Sequence, residues 1–280
     1  MSFPGPPLIS VCIPSFNNEL FIDEAIRSVL GQTFGGFELI IVDDLSRDGT
    51  REKIRAYDDP RIRYIENDRN LGLAANWNKA LGEARGRWIK VLPGDDLLYP
   101  RCLERQIAAF EDQPPGEIAL VSCARDVIDE RGRKIMRRAF PGKGRVIPGR
   151  EAVRRCIRAG TNLIGEPAAV LMRADLVERT GLFNPGNVYL IDLDFWARLL
   201  LEGSLSMSAD PLCAFRISRT AESTRTRSSQ SRDFQAFAGV LGSDVRFGLK
   251  PVDLRRGRRR AVLNGFLRRL LYKGILSGPR

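Results

Sequence analysis

No histidine occurs anywhere in this sequence. That single absence removes Ser-His-Asp and Cys-His catalysis, histidine metal ligation and imidazole acid–base chemistry together. An enzyme made of these residues must work through carboxylates, lysine, tyrosine, cysteine or a metal ion. Cysteine is also sparse: Cys12, Cys102, Cys123, Cys156 and Cys213 are scattered, odd in number and never arranged as CxxC. The pattern predicts free thiols in a reducing cytoplasm rather than a disulfide framework or a zinc site. No apolar run approaches the roughly 18–20 residues that a membrane span needs. The opening segment "MSFPGPPLIS" lacks the basic-then-apolar order of a signal peptide, so a cytoplasmic protein is expected. A hydrophobic content of 43% argues against global disorder, and 280 residues suffice for one large α/β domain with a small appendage.

Charge is unevenly spread. From Lys250 to Arg280 there are ten basic residues and one acid, Asp253, which accounts for +9 of the formal +11. The body is nearly neutral and the tail strongly cationic. Within the tail, Leu263, Phe266, Leu267, Leu270, Leu271 and Ile275 recur at helical spacing with arginines on their flanks. Two readings follow: a helix packed on the body with its charges solvated, or a helix that docks on an anionic membrane surface.

Along the first 125 residues, apolar strand-like runs alternate with helical periodicity. The strands are "LISVCIPSF", "FELIIVDD", "RIRYIEN", "RWIKVL" and "EIALVSC", which predicts a doubly wound, largely parallel sheet. Ligands bind such sheets at the carboxyl ends of the strands. Those ends here carry Pro14-Ser15-Phe16-Asn17, Asp43-Asp44, Asn67-Asp68 and Asp95-Asp96. Each aspartate pair could serve as a turn or a helix cap. Two pairs on one rim repel unless neutralised, and a hard divalent cation such as Mg²⁺ or Mn²⁺ is the simplest counter-charge where histidine is missing. Further on, "REAVRRCIRAG" reads as a helix, "PAAVLMR" and "LCAFRIS" as strands, and a helix is expected from about Asp192 to Glu202. Asp192 and Asp194 sit at its start, where the dipole favours anions.

From about Leu8 to about Ser218 the chain resembles a family-2 glycosyltransferase of the GT-A fold. The resemblance is carried, in order, by "SVCIPSFNN", "LGQTFGGFELIIVDDLSRDGT", "NLGLAANWNKALGEARGRWIKVLPGDDLLYP", "GEPAAVLMRADLVERTGLFN" and "DLDFWARLL". It implies a GT-A domain over residues 1–220 and a basic helical extension over residues 221–280. It further implies that Pro14, Phe16 and Asn17 lie along a nucleotide, and that Asp44 accepts a hydrogen bond from a uracil or thymine ring nitrogen. Asp95 would approach the ribose, and Asp96 would ligate a Mg²⁺ or Mn²⁺ ion on the diphosphate. Asp192 would be the general base, with Asp194, Trp196 and Arg198 organising its helix.

The implied activity is inverting transfer of a sugar from a nucleotide diphosphate to a hydroxyl of a glycan or lipid-linked acceptor. Location on the cytoplasmic face of a membrane would suit that acceptor. Three departures from the family stand out: "PGDD" as the metal motif, Ile191 before Asp192 in place of a second acid, and Ser218 where many relatives place a histidine. The alternatives are a nucleotide-binding protein of the same fold without transferase activity, and a nucleic-acid-binding protein using the basic tail. The tail lacks aromatics between its basic residues apart from Phe266 and Tyr272, so nucleic acid is not the expected partner.

Overall fold

The computed structural model describes residues 7–114, 116–142, 146–186, 188–219, 224 and 229–276. Its N-terminal half is assembled from apolar runs. Strands β1 (Ile9–Ser15), β2 (Phe37–Asp43) and β4 (Trp88–Val91) are buried along their whole length, and β3 (Ile62–Glu66) is the half-covered edge. Helix α1 (Ile22–Leu30) buries Ile22, Ala25, Ile26 and Val29, a single stripe at 3–4 spacing. Asp23 and Glu24 occupy its first turn, where free amides favour negative charge. Helices α2 (Thr50–Arg55) and α3 (Leu73–Gly82) complete the crossovers. Parallel register pairs Ser15 with Asp43, and Asp43 with Glu66, so three strands end level. Cys12 faces Val91, which brings the turn after β4 to the same rim.

The second half adds β5 (Leu97–Leu98), α4 (Cys102–Glu111), β6 (Ile118–Ile128), β7 (Lys134–Arg138), β8 (Val146–Ile147), α5 (Gly149–Ala159), β9 (Val170–Arg173), α6 (Ala174–Thr180), α7 (Ile191–Leu199) and β10 (Ser204–Arg216). The sheet order is β3-β2-β1-β4-β9-β6-β10-β5, with β7 beside β6 and β8 beside β10. Helices flank this α/β sheet as the alternation of runs implies. Its two parallel blocks, β3-β2-β1-β4 and β6-β10, are joined by β9, which runs antiparallel to both neighbours. Strands β6 and β10 outrun their apolar segments. Beyond Cys123, β6 carries Arg125 and Asp126, whose charges resemble a strand end in sequence but are ion-paired within the fold. Its partner β10 starts at Ser204 and accommodates Asp210-Pro211 through register shifts. All five cysteines are buried free thiols.

Two helices end the chain, α8 (Gln230–Ser243) and α9 (Pro251–Leu276). Helix α9 lies directly on α5. A Cβ added at Gly257 would stand 2.1 Å from the Ile157 carbonyl oxygen, so glycine is what allows this approach. Asp253, the one acid of the tail, is fully buried and pairs with Arg154 at 3.0 Å and Arg158 at 2.8 Å. Asn264 donates to the Ala159 and Gly160 carbonyls at 2.8 and 3.1 Å. The inner face of the tail helix is therefore packed on the body. Its outer face presents Val262, Leu263, Phe266, Leu267 and Leu270, each more than half exposed. Among the described residues no helix is long and apolar enough to cross a membrane.

Candidate active site

The loops leaving β1, β2 and β4, together with the segments ahead of α7, enclose a cavity of about 500 Å³. Pro14, Phe16, Asn17, Asp44, Asp95, Asp96 and Asp192, separated by up to 178 positions in the chain, all line it. At one end the loops after β1 and β2 are bolted together. Asn17 donates its backbone N–H to Ser46 Oγ at 2.9 Å, and its side chain accepts from Arg47 N at 2.8 Å. Asn17 (φ 52°) and Leu45 (φ 60°) are both left-handed, which for leucine stores roughly 1–3 kcal/mol of strain. Asp43 holds that turn, accepting from Ser46 N at 2.8 Å and from Ser46 Oγ at 2.5 Å. So the pair Asp43-Asp44 divides: Asp43 is wholly buried as a structural clamp, and only Asp44 reaches the cavity.

Asp44 accepts from Asn67 Nδ2 at 2.8 Å, Leu71 N at 2.7 Å and Gly72 N at 2.9 Å. A carboxylate offers about four lone-pair sites, so one remains for a ligand donor. Phe16 is exposed and adds an apolar ring to the lining of the same cavity.

The turn after β4 is narrow for a definable reason. A Cβ at Gly94 would stand 2.7 Å from Asn18 Oδ1, so the "PGDD" glycine permits contact between this turn and the β1 loop. Burial pushes the Asp95 carboxyl up to about 6, and burial plus the Asp95 charge pushes Asp96 well above the usual carboxylate range. Asp96 Oδ1 accepts from Arg216 N at 2.9 Å, whereas Oδ2 is buried with no partner. The fully buried Arg216 side chain also donates to the Asp95 carbonyl at 2.8 Å and to Glu24 at 2.7 Å, with its guanidinium 4.5 Å over the Phe21 ring. This arginine, in the "FRI" segment, clamps the paired aspartates from across the sheet. Ser218, two residues on, is buried and is not among the residues lining the cavity.

A hard divalent cation fits what is present. The orphaned Asp96 oxygen needs a positive partner, and a cation would relieve both raised carboxyls. Among the described residues no third acid, cysteine or histidine joins the pair. Such an ion would draw its remaining ligands from water and phosphate oxygens, as Mg²⁺ does.

At the opposite end Asp192 sits in the first turn of α7, one residue inside it. Its Oδ2 accepts from Asn162 Nδ2 at 2.9 Å and its Oδ1 from Leu193 N at 2.6 Å. Asn162 is itself fixed by two bonds to Gly165. Burial, then the nearby Glu166 charge, pushes Asp192 up to about 7. Burial opposes ionisation of Glu166, yet Arg125 and Arg138, at 2.5 and 3.0 Å, hold it down at about 2. Asp194 does not cap this helix. It forms an i,i+4 pair with Arg198 at 3.0 Å, and Arg198 donates to the Thr180 and Leu182 carbonyls. Asn162, Glu166, Arg125 and Arg216 escape a linear reading because each acts on a carboxylate 26 or more positions away. Only the "GEP" and "FRI" segments flag two of them.

A doubly wound sheet with paired carboxylates at its strand ends and a further acid at a helix start across the cleft is the architecture of a GT-A glycosyltransferase. The family described as Glycosyl transferase family 2 matches residues 10–181. An uncharacterized protein of Mycobacterium tuberculosis is 33% identical over 242 residues, covering 81% of this chain and 72% of that one. The Escherichia coli UDP-Glc:alpha-D-GlcNAc-diphosphoundecaprenol beta-1,3-glucosyltransferase WfgD is 42% identical over 101 residues, 36% of this chain and 40% of that protein. Among solved structures, S. aureus TarS 1-349 in complex with UDP-GlcNAc superposes with a TM-score of 0.67 at 20% identity, over 83% of this chain and 65% of that one. A Pyrobaculum calidifontis mannosyltransferase in complex with GDP-Man and Mn²⁺ gives 0.59 at 16% identity, over 99% and 77%. The chain belongs to glycosyl transferase family 2, and is a glycosyltransferase by that membership.

Proposed function

We propose that the protein transfers a sugar, with inversion, from a UDP- or dTDP-sugar to a hydroxyl of a glycan or lipid-linked acceptor. One observation carries this reading: Asp192, with an affinity for protons near neutrality, faces the same cavity as the paired Asp95 and Asp96. A general base works best when its pKa lies near the working pH. In the proposed step the acceptor O–H gives its proton to Asp192 as its oxygen bonds to the anomeric carbon. The bond from that carbon to the diphosphate oxygen breaks, and the diphosphate leaves with the electron pair. Asn162 orients the Asp192 carboxylate, and Asp44 receives an imide N–H of the base through its free lone pair. Asp95 faces the ribose and Asp96 would hold Mg²⁺ or Mn²⁺, which when bound neutralises charge on the departing diphosphate.

The ligands named for TarS and WfgD support UDP as carrier and a lipid diphosphate on the acceptor side. Peripheral membrane docking belongs to the same proposal. The exposed stripe from Val262 to Leu270 follows the arginine-rich turns at 255–260, and that combination suits an anionic lipid surface. The test is a transfer assay with UDP-, dTDP- and GDP-sugars, Mn²⁺ or EDTA, and polyprenyl-linked or free glycan acceptors. Turnover of a UDP- or dTDP-sugar that stops in EDTA supports the reading. Hydrolysis or binding without transfer to any acceptor would count against it.

A further inference from the structure

We propose that Arg268 of α9, with Arg138 of β7 beside it, forms a phosphoryl-binding subsite in the cleft, so that the C-terminal helix is part of the ligand site. The proposal rests on the nucleotide-sugar reading and extends it beyond the family-matched residues, which end at 181. Both arginines line the cavity that holds Asp96 and Asp192. Every other charged side chain in that lining is a carboxylate. Arg138 is committed to Glu166 at 3.0 Å. Arg268 makes no ion pair among the described residues. Its Nε donates to Asn264 O at 3.3 Å and its Nη1 to the Tyr189 hydroxyl, with the guanidinium 5.4 Å over the Tyr189 ring.

A guanidinium carries five N–H donors in a planar fork suited to phosphate oxygens. Two are occupied here, and the donors left over sit in a cavity wall. The environment also calls for an anion. Burial, then the Arg138 charge, pulls Arg268 down to about 10, far below the usual arginine range. A phosphoryl group would relieve both effects. Helix α9 can hold the cation in place because Gly257 and Asp253 lock its first turns onto α5. Tyr189, which orients the guanidinium, lies three residues before Asp192, so the subsite adjoins the reacting end of the cleft. The phosphoryl group could come from the donor diphosphate or from a lipid-phosphate acceptor, which share this chemistry.

Calorimetry with inorganic pyrophosphate, UDP and uridine, on wild type and on Arg268→Gln and Arg268→Met, tests the subsite. Uridine reads only the Asp44 end, so retained uridine affinity reports an intact cleft in each variant. Pyrophosphate affinity should fall about tenfold or more, as loss of charge-assisted bonds implies, and Arg268→Lys should restore part of it. An equal loss for UDP assigns the donor diphosphate. Unchanged UDP affinity, with a raised KM for a polyprenyl-diphosphate acceptor but not for an uncharged alkyl glycoside, assigns the acceptor. Pyrophosphate affinity and both KM values within twofold of wild type, in either variant with uridine binding intact, would overturn the proposal. Wild type that binds pyrophosphate but neither uridine nor UDP would instead sink the nucleotide-sugar reading and leave the anion site standing.

Discussion

At one end of the cleft Asp44 is held by three neutral donors from residues 67–72, all local to one loop. At the other end Asp192 is held by the Asn162 amide and the adjacent Leu193 N–H, in the field of a partly buried glutamate that two arginines keep charged. Neutral donors at short range fix a position. A partly buried like charge sets a proton affinity. The difference matches what each end is proposed to do, one reading a base and the other taking a proton.

The largest effect is expected where proton affinity matters. Asp192→Asn should lower transfer by about 10²–10⁴-fold while UDP affinity is kept. Transfer within a few-fold of wild type would mean that the base lies elsewhere. The same group gives a stability signature. Its carboxyl is raised from 3.8 to about 7 on folding, so it favours the folded state below pH 4 and that contribution is lost as pH rises through 7. Denaturant melts of Asp192→Asn should therefore gain on wild type between pH 4 and 7. A constant difference across that window would contradict the burial argument. Asp194→Asn is the matched control. It breaks only an i,i+4 pair worth roughly 0.3–0.5 kcal/mol and should leave turnover nearly unchanged.

At the positional end, Asp44→Ala should weaken UDP binding about 10–100-fold with or without metal, the range for a lost bond to a charged group. Asp96→Asn should weaken it only where Mn²⁺ strengthens it in wild type. Calorimetry with and without EDTA separates the two, and equal behaviour of both variants would erase the proposed division of labour. Glu166→Gln tests the field at the acceptor end. kcat/KM of wild type should rise as pH passes about 7, and in the variant that rise should move to lower pH because a like charge is gone. The variant should also lose about 3–5 kcal/mol of stability, since Arg125 keeps a buried charge without its partner. A pH profile that stays put would show that burial alone sets the Asp192 affinity. The smallest effect concerns the outer face of α9. Phe266→Ser with Leu270→Ser should reduce cosedimentation with anionic vesicles several-fold at low salt, leaving UDP binding intact. Wild type that ignores such vesicles would confine the tail to its packing role.

Much of this fold is legible in sequence because strands buried on both faces read as continuous apolar runs, as β1, β2 and β4 do. Helix α8 was not among the expected elements, although Phe234, Phe237, Ala238 and Leu241 recur at 3–4 spacing and are all buried. The extra length of β6 was not legible. Arg125 looks like a strand terminus until Glu166, 41 positions on, neutralises it. The tail carried two readings, and its helix has a face for each: Asp253, Gly257 and Asn264 pack inward while Phe266 and Leu270 point out. A charge count cannot separate those faces.

By itself the sequence determined the order of the first strands and helices and the rim on which Asp44, Asp95 and Asp96 fall, while Asp192 joined them only through the family resemblance. Runs, turn residues and adjacent acids are local patterns, and helix and strand periods turn them directly into placement. Only the tertiary structure decided what each carboxylate is worth chemically. Asp43 became a clamp because Ser46 fills it, and Asp96 kept an orphaned oxygen because Arg216, 120 positions away, satisfies only the other. Asp192 rose to about 7 because burial and Glu166 oppose its charge, and Arg268 reached the cleft because a glycine let its helix lie against α5. Proton affinity and charge balance depend on desolvation and on neighbours within a few ångströms, and those neighbours are chosen by packing rather than by position in the chain.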